Sequence, residues 1–235
     1  MQAIKFLPTP STDMGLCKQQ LSHGSRSFYF ASHLLPKVMQ HAACGLYAFC
    51  READDMVDEG ENPQNALDIL HHRLDRIYEG KPLYKATDRV LTQIVQTYNM
   101  PRELLNALLE GFAWDAEGKI YHSIDDVYDY SARVAGTVGV MMSVLMGVRD
   151  PKILARAADL GTAMQLTNIA RDVGEDARLG RIYLPLDELR AEGVDPAQML
   201  ADPTFNSGIG RVVRRLLERA DWLYQRSDHG IAQLP

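Results

Sequence analysis

Residues 160–176 read LGTAMQLTNIARDVGED. The eleven positions from Leu160 to Ala170 carry no charge, and their apolar residues do not alternate as a half-buried strand requires. They predict a helix buried on most of its sides. Yet Gln165, Asn168, Asp172 and Asp176 fall within about 80° of arc at about 100° per residue, so they form one stripe along that helix. Buried amides and carboxylates cost on the order of 1–3 kcal/mol each without partners. The stripe therefore predicts a polar cavity, with Arg171, Arg178 and Arg181 clustered beside it.

Outward from this segment, apolar spacings of three and four dominate and alternating runs of strand length are scarce, so the fold class is all-α. The pattern predicts helices over 14–34, 37–59, 64–79, 87–97, 101–116, 124–147, 151–176, 186–192 and 208–227. Gly60 with Pro63, Gly80 with Pro82, Pro101, and Gly147 with Pro151 punctuate them. No linker, repeat or low-complexity tract divides the sequence, which reads as one helical domain over 1–235. The 208–227 helix carries Val212, Val213, Leu216, Leu217, Ala220, Leu223 and Tyr224 close to the last residue, Pro235. Either earlier helices cover that face or the chain is C-terminally short.

Composition excludes several classes. With 25 Lys+Arg against 31 Asp+Glu the net charge is −6, which opposes the basic footprint of a nucleic-acid binder. Cys17, Cys44 and Cys50 are odd in number and lack zinc spacing, so neither a disulfide framework nor a zinc site is expected, and a cytoplasmic setting fits. The N-terminal segment has no apolar run of signal-peptide length. The longest uncharged stretch, Val134 to Val148, rises only about 22 Å as a helix, short of the roughly 20 residues that span a bilayer.

A second acidic stretch, YAFCREADDMVD at 47–58, places Tyr47, Arg51, Asp54 and Asp58 within roughly 60° on one side of a helix. Carboxylates one turn apart repel by several tenths of a kcal/mol unless a cation lies between them. Such a stripe is either a solvated acidic face or a cation site. Two helices that each present Asp-x-x-x-Asp with arginine nearby favour the second, a hard-oxygen site for magnesium and a phosphorylated ligand. A di-iron bundle would need Glu-x-x-His pairs, and Asp68 with His71 and His72 comes no closer than an exposed helix face. No phosphate-cradling GxxxxGK[ST] loop is present, and GTVG at 136–139 does not follow a strand.

These stretches resemble the squalene and phytoene synthase family, whose members join two prenyl diphosphates head to head. The resemblance runs through GSRSFYFASHLLP at 24–36, YAFCREADDMVDE at 47–59, DYSARVAGTVGVMM at 129–142 and QLTNIARDVGEDARLGRIYLP at 165–185, in the family's order. It is strongest to the bacterial members of carotenoid pathways. The resemblance implies an isoprenoid-synthase-type helical bundle around a central cavity. It also implies that Asp54, Asp58, Asp172 and Asp176 hold diphosphate through magnesium, with manganese a possible substitute. Arg51 and Arg171 match basic residues at the diphosphate, and Tyr47 and Tyr183 match tyrosines near it. Gln165 and Asn168 match polar groups lining the pocket, and Ser25, Ser27 and Phe28 match contacts to a substrate head and its first isoprene units. Tyr130 matches a tyrosine near the reacting carbons.

The implied activity is condensation of two geranylgeranyl diphosphates, through a cyclopropyl diphosphate, to a forty-carbon hydrocarbon. A thirty-carbon synthase using farnesyl diphosphate and a non-catalytic scaffold relative are the alternatives. Squalene synthases finish with a nicotinamide-dependent reduction, and no such cofactor is expected here. Ser32, one turn beyond Phe28, either borders the tail of the substrate or packs against a neighbouring helix. Gly136 and Gly139 allow close approach, of a substrate or of another helix. An apolar product has to leave into lipid, which implies transient peripheral membrane contact, while the acidic balance opposes a nucleic-acid partner.

Overall fold

The computed structural model describes residues 11–58, 60 and 62–234, without the side chains of Ser11 and Ser27. Among the described residues there is no strand, as the apolar spacing predicts. The chain forms two compact units, one of residues 11–116 with 141–148, the other of 117–140 with 149–234.

In the first unit the helices are α1 (Ser11–Gly24), α2 (Arg26–Ser32), α3 (Lys37–Asp58), α4 (Pro63–Tyr78), α5 (Ala86–Tyr98) and α6 (Arg102–Ala116). Helix α3 packs against α1, α4, α5 and α6. Its apolar side buries Leu46, Phe49, Ala53 and Val57, and the opposite side carries the acidic stripe. The single helix expected over 14–34 is two. At Ser25 the backbone is extended (φ −153°, ψ 107°) and its hydroxyl accepts the amide of Phe28, capping α2. A serine that satisfies a first-turn amide competes with continuation of the preceding helix. Asn62 caps α4 in the same way, with Pro63 in its first turn.

The second unit holds α7 (Ile124–Ser131), a π-helical turn over Ala132–Gly136, the start of α8 (Thr137–Leu145), then α9 (Pro151–Arg178), α10 (Leu186–Ala191), α11 (Pro196–Ala201) and α12 (Ser207–Ile231). A full capping box between Ser123 and Asp126 starts α7. The helix expected without interruption over 124–147 is widened at 132–136, where the Thr137 hydroxyl donates to the Arg133 carbonyl at 2.6 Å. Side-chain bonding to the preceding turn loosens the regular ladder. Here α9 approaches very closely, since a Cβ on Gly161 would lie 2.2 Å from the Ala135 carbonyl oxygen and one on Gly139 would lie 2.3 Å from that of Ala157. Gly139 and Gly161 thus serve helix packing.

The apolar face of α12 is covered by α9, and Val212, Leu216, Ala220 and Leu223 are buried there. On the same helix Leu217 and Trp222 stand 42% and 53% exposed. The uncharged segment ends in the first unit with Met141, Val144, Leu145 and Val148 buried. Among the described residues no helix is long and apolar enough to cross a membrane.

Candidate active site

Within the first unit the four stripe residues of α3 are held from behind. On the opposite side of that helix Phe49, Glu52 and Met56 meet Arg73 of α4, which is 1% exposed. The Arg73 guanidinium donates twice to Asp88 of α5, at 2.6 and 2.9 Å, and to the Thr87 hydroxyl at 3.2 Å. It also lies 3.0 Å from the Glu52 carboxylate and 5.2 Å over the Phe49 ring. Lys85 and the Thr87 hydroxyl donate to Glu52 as well. Burial pushes the Glu52 carboxyl up, but Lys85, Arg73 and Thr87 together hold it below the ordinary glutamate value. This charged clamp joins α3, α4 and α5 and fixes which side of α3 faces outward.

On that outward side Arg51 reaches Asp54 at 3.2 Å and Asp55 at 2.6 Å. Burial and then the charge of Asp58 push the Asp54 carboxyl up to about 6, against the pull of Arg51. A carboxylate so crowded gains from a divalent cation beside it. Among the described residues no group of three or more His, Cys, Asp or Glu is arranged to hold a metal unaided. Magnesium typically takes only one or two carboxylates and completes its shell with water and ligand phosphate, so the donor set fits it. Tyr47 sits against Phe28, ring centroids 6.2 Å apart, and its hydroxyl lies where a Cβ on Gly24 would come within 2.4 Å. Gly24 therefore makes room for Tyr47. Burial raises the Tyr47 phenol.

A cleft of about 660 Å³ opens beside Arg51, bounded by Gln20, His23 and Gly24 of α1, by Glu52 and Asp55 of α3, and by Lys85. Ser25 is occupied in capping α2, and the Ser27 side chain lies outside the described residues. Ser32 is 5% exposed and donates to the Tyr29 carbonyl at 2.7 Å. It borders a separate recess with Lys18, Gln40 and Cys44.

In the second unit α9 carries Gln165, Asn168, Asp172 and Asp176. Asn168 donates weakly to Gln165 at 3.4 Å. Arg171 holds both oxygens of Asp172 with bonds of 2.6 and 2.7 Å. Beyond α9, Gly180 (φ +79°) takes the left-handed conformation that glycine adopts without strain, and the Arg181 amide returns to the Asp176 carbonyl at 2.9 Å. That turn brings Arg181 and Tyr183 to a small recess with Asp176. Tyr183 stacks on Tyr130 at 5.1 Å between centroids, and Tyr121 meets Tyr130 at 5.2 Å and Tyr183 at 5.7 Å.

The sequence matches the squalene/phytoene synthase family over residues 21–235. The chain belongs to that family. It is 54% identical over 226 residues to a phytoene synthase of Rhodobacter capsulatus, covering 95% of this chain and 67% of the relative. To a phytoene synthase of Cereibacter sphaeroides it is 51% identical over 235 residues, 96% of this chain and 66% of the relative. The chain thus spans about two thirds of the length of these relatives. Among solved structures, a dehydrosqualene synthase superposes with a TM-score of 0.88 at 34% identity, covering 95% of this chain and 78% of that one. A squalene synthase from Alicyclobacillus acidocaldarius gives 0.89 at 25% identity, over 100% and 89%.

Membership in the squalene/phytoene synthase family makes the protein a prenyltransferase of the isoprenoid-synthase fold. Three features of its units escape a reading of the sequence. The clamp at Arg73 draws on three helices and leaves no local motif, and Asp88 lies fifteen positions away in sequence. Tyr121 precedes α7, and a lone loop tyrosine gives no sign of the rings it joins. Lys85 also lies in a loop, and only its ion pair with Glu52 brings it to the cleft.

Proposed function

We propose that this chain joins two molecules of geranylgeranyl diphosphate head to head to form phytoene, releasing two diphosphates. The observation that carries this reading is the identity of 54% to a phytoene synthase over 95% of the chain. The local geometry agrees with it, because each aspartate stripe has an arginine bonded to one of its carboxylates.

Asp54 with Asp58, and Asp172 with Asp176, would hold magnesium, which supplies positive charge to the departing diphosphate. The chain's own groups do the rest. Arg51 and Arg171 exchange their present carboxylate partners for diphosphate oxygens and stabilise charge as the carbon–oxygen bond breaks. Tyr47 and Tyr183 orient the diphosphate, and Gln165 and Asn168 position the substrate near the α9 carboxylates. Ser25 and Ser27 would meet the substrate head and Phe28 its first isoprene units. Loss of diphosphate leaves an allylic cation, which the double bond of the second substrate captures. The ring faces of Tyr130 and its neighbours stabilise that cation without offering a strong nucleophile. Water has to be excluded until the hydrocarbon forms. The protein works in the cytoplasm and meets a membrane only peripherally, where the apolar product leaves.

Incubation with magnesium and geranylgeranyl diphosphate should release diphosphate and yield a forty-carbon hydrocarbon. Exclusive use of farnesyl diphosphate would assign a thirty-carbon synthase instead. Absence of diphosphate release from a folded chain would point to a scaffold relative.

A further inference from the structure

The stretch from Met14 to Arg51 holds no aspartate or glutamate, in a chain whose net charge is −6. It carries Lys18, Arg26, Lys37 and Arg51, together with three histidines. At the corner where α2 turns into α3, Phe30, Leu34 and Val38 follow one another at intervals of four and stand 71%, 88% and 41% exposed. Successive turn bonds, His33 amide to Phe30 carbonyl and Leu34 amide to Ala31 carbonyl, hold this corner in a compact conformation. Apolar side chains raised this far into water, inside an acid-free and basic surround, are not explained by the carboxylate site. Beside them a recess of about 440 Å³ is bounded by Lys18, Ser22, His33 and Gln40, again without a carboxylate.

We propose that the α2–α3 corner is the surface by which the protein docks on an anionic lipid bilayer. Phe30, Leu34 and Val38 enter the boundary between headgroups and acyl chains, while Lys18, Arg26 and Lys37 meet lipid phosphates. Charge selects this occupant over a neutral one, since the basic surround repays little on an uncharged surface and gains with every anionic headgroup. The inference rests on the proposed peripheral release of an apolar product and names the surface that carries it.

The test is sedimentation of the purified chain with vesicles of equimolar phosphatidylcholine and phosphatidylglycerol, against vesicles of phosphatidylcholine alone. The chain should follow the anionic vesicles and be released by salt. Phe30→Ser with Leu34→Ser should weaken partitioning by about tenfold or more, since each side chain forfeits several buried methylene-sized groups. Lys37→Glu should weaken it by about fivefold or more. Equal binding to both vesicle types, or equal binding by wild type and the double variant, would overturn the proposal. So would loss of self-association by the double variant in the absence of lipid, which would make the corner a contact between copies of the chain. Turnover of prenyl diphosphate in detergent separates the two claims. Wild-type turnover by variants that bind vesicles normally removes the docking surface and keeps the enzyme, whereas vesicle binding without turnover in the wild type does the reverse.

Discussion

Replacing Arg73 with methionine removes the charge that faces Asp88, which is 0% exposed, and Glu52, whose side chain is 16% exposed. Methionine keeps most of the apolar stem and forfeits the guanidinium, including its place over the Phe49 ring, so the loss is mainly electrostatic. Asp88 is left buried and without its guanidinium, whereas Glu52 retains Lys85 and Thr87. Breaking a buried pair by removing one partner costs about 3–5 kcal/mol, because the remaining charge cannot return to water. At a urea slope of about 2 kcal/mol/M this moves the unfolding midpoint by about 2 M. Trp114 lies in the first unit and Trp222 in the second. In a Trp222→Phe background, Trp114 fluorescence therefore reports the unit that holds the clamp. Adding Asp88→Leu to Arg73→Met should restore half or more of the loss, since it removes the stranded carboxylate. A midpoint shift equivalent to less than about 1 kcal/mol, or no restoration in the double variant, would refute the claim that this buried pair fixes α3.

Gly24→Ala should destabilise the first unit by about 1–3 kcal/mol through collision with the Tyr47 hydroxyl, and Tyr47→Phe should relieve much of it; additive melting shifts would contradict the contact. Asp13 accepts two bonds of 2.7 Å from Arg89, and that hydrogen bonding holds its carboxyl below the ordinary aspartate value. A carboxyl depressed in the folded state stabilises above its unfolded pKa of about 3.9 and loses that contribution as pH falls through the folded value. Asp13→Asn should thus cost about 1–2 kcal/mol at pH 7, discounted for the part-exposed Arg89, with the difference from wild type closing below about pH 4. A difference that persists in acid would mean that packing, not charge, is at work. Asp172→Asn should leave the melting temperature near wild type and lower turnover about a hundredfold or more, as expected for loss of charge opposite a departing anion. Near wild-type turnover at saturating magnesium would remove Asp172 from the site.

Periodic features were legible, and features assembled from distant single residues were not. The α3 stripe is written in one turn-spaced run from Tyr47 to Asp58, and α3 indeed runs to Asp58. The uncharged middle of α9 predicts burial on most sides, and Gly161, Thr162, Ala163, Leu166 and Ile169 are buried, while Met164 stands 40% exposed. The break at Ser25 follows from capping chemistry in the polar run Ser22 to Ser27, which apolar spacing alone does not record. Helix α11 lies outside the expected helices, although Asp195 caps it and Pro196 opens it, because its one buried side chain, Met199, sets no period, whereas the equally short α10 buries Leu186 and Leu189 three apart. The π turn at 132–136 coincides with the Thr137 hydroxyl bond to the Arg133 carbonyl and with the close approach of Gly161 from another helix, which no local pattern records. Arg73 reads on its own sequence as one more charge in an amphipathic helix. Its role exists only once α3, α4 and α5 are assembled.

The central claim is the reaction itself, and mass analysis of the product tests it most directly. The chain is incubated with magnesium and geranylgeranyl diphosphate, with farnesyl diphosphate in a parallel arm, and the lipid extract and released diphosphate are quantified together. A forty-carbon hydrocarbon with two diphosphates released for each molecule formed, lost when magnesium is chelated, is the predicted result. A thirty-carbon product alone, or no diphosphate release from a chain shown to be folded, would contradict it.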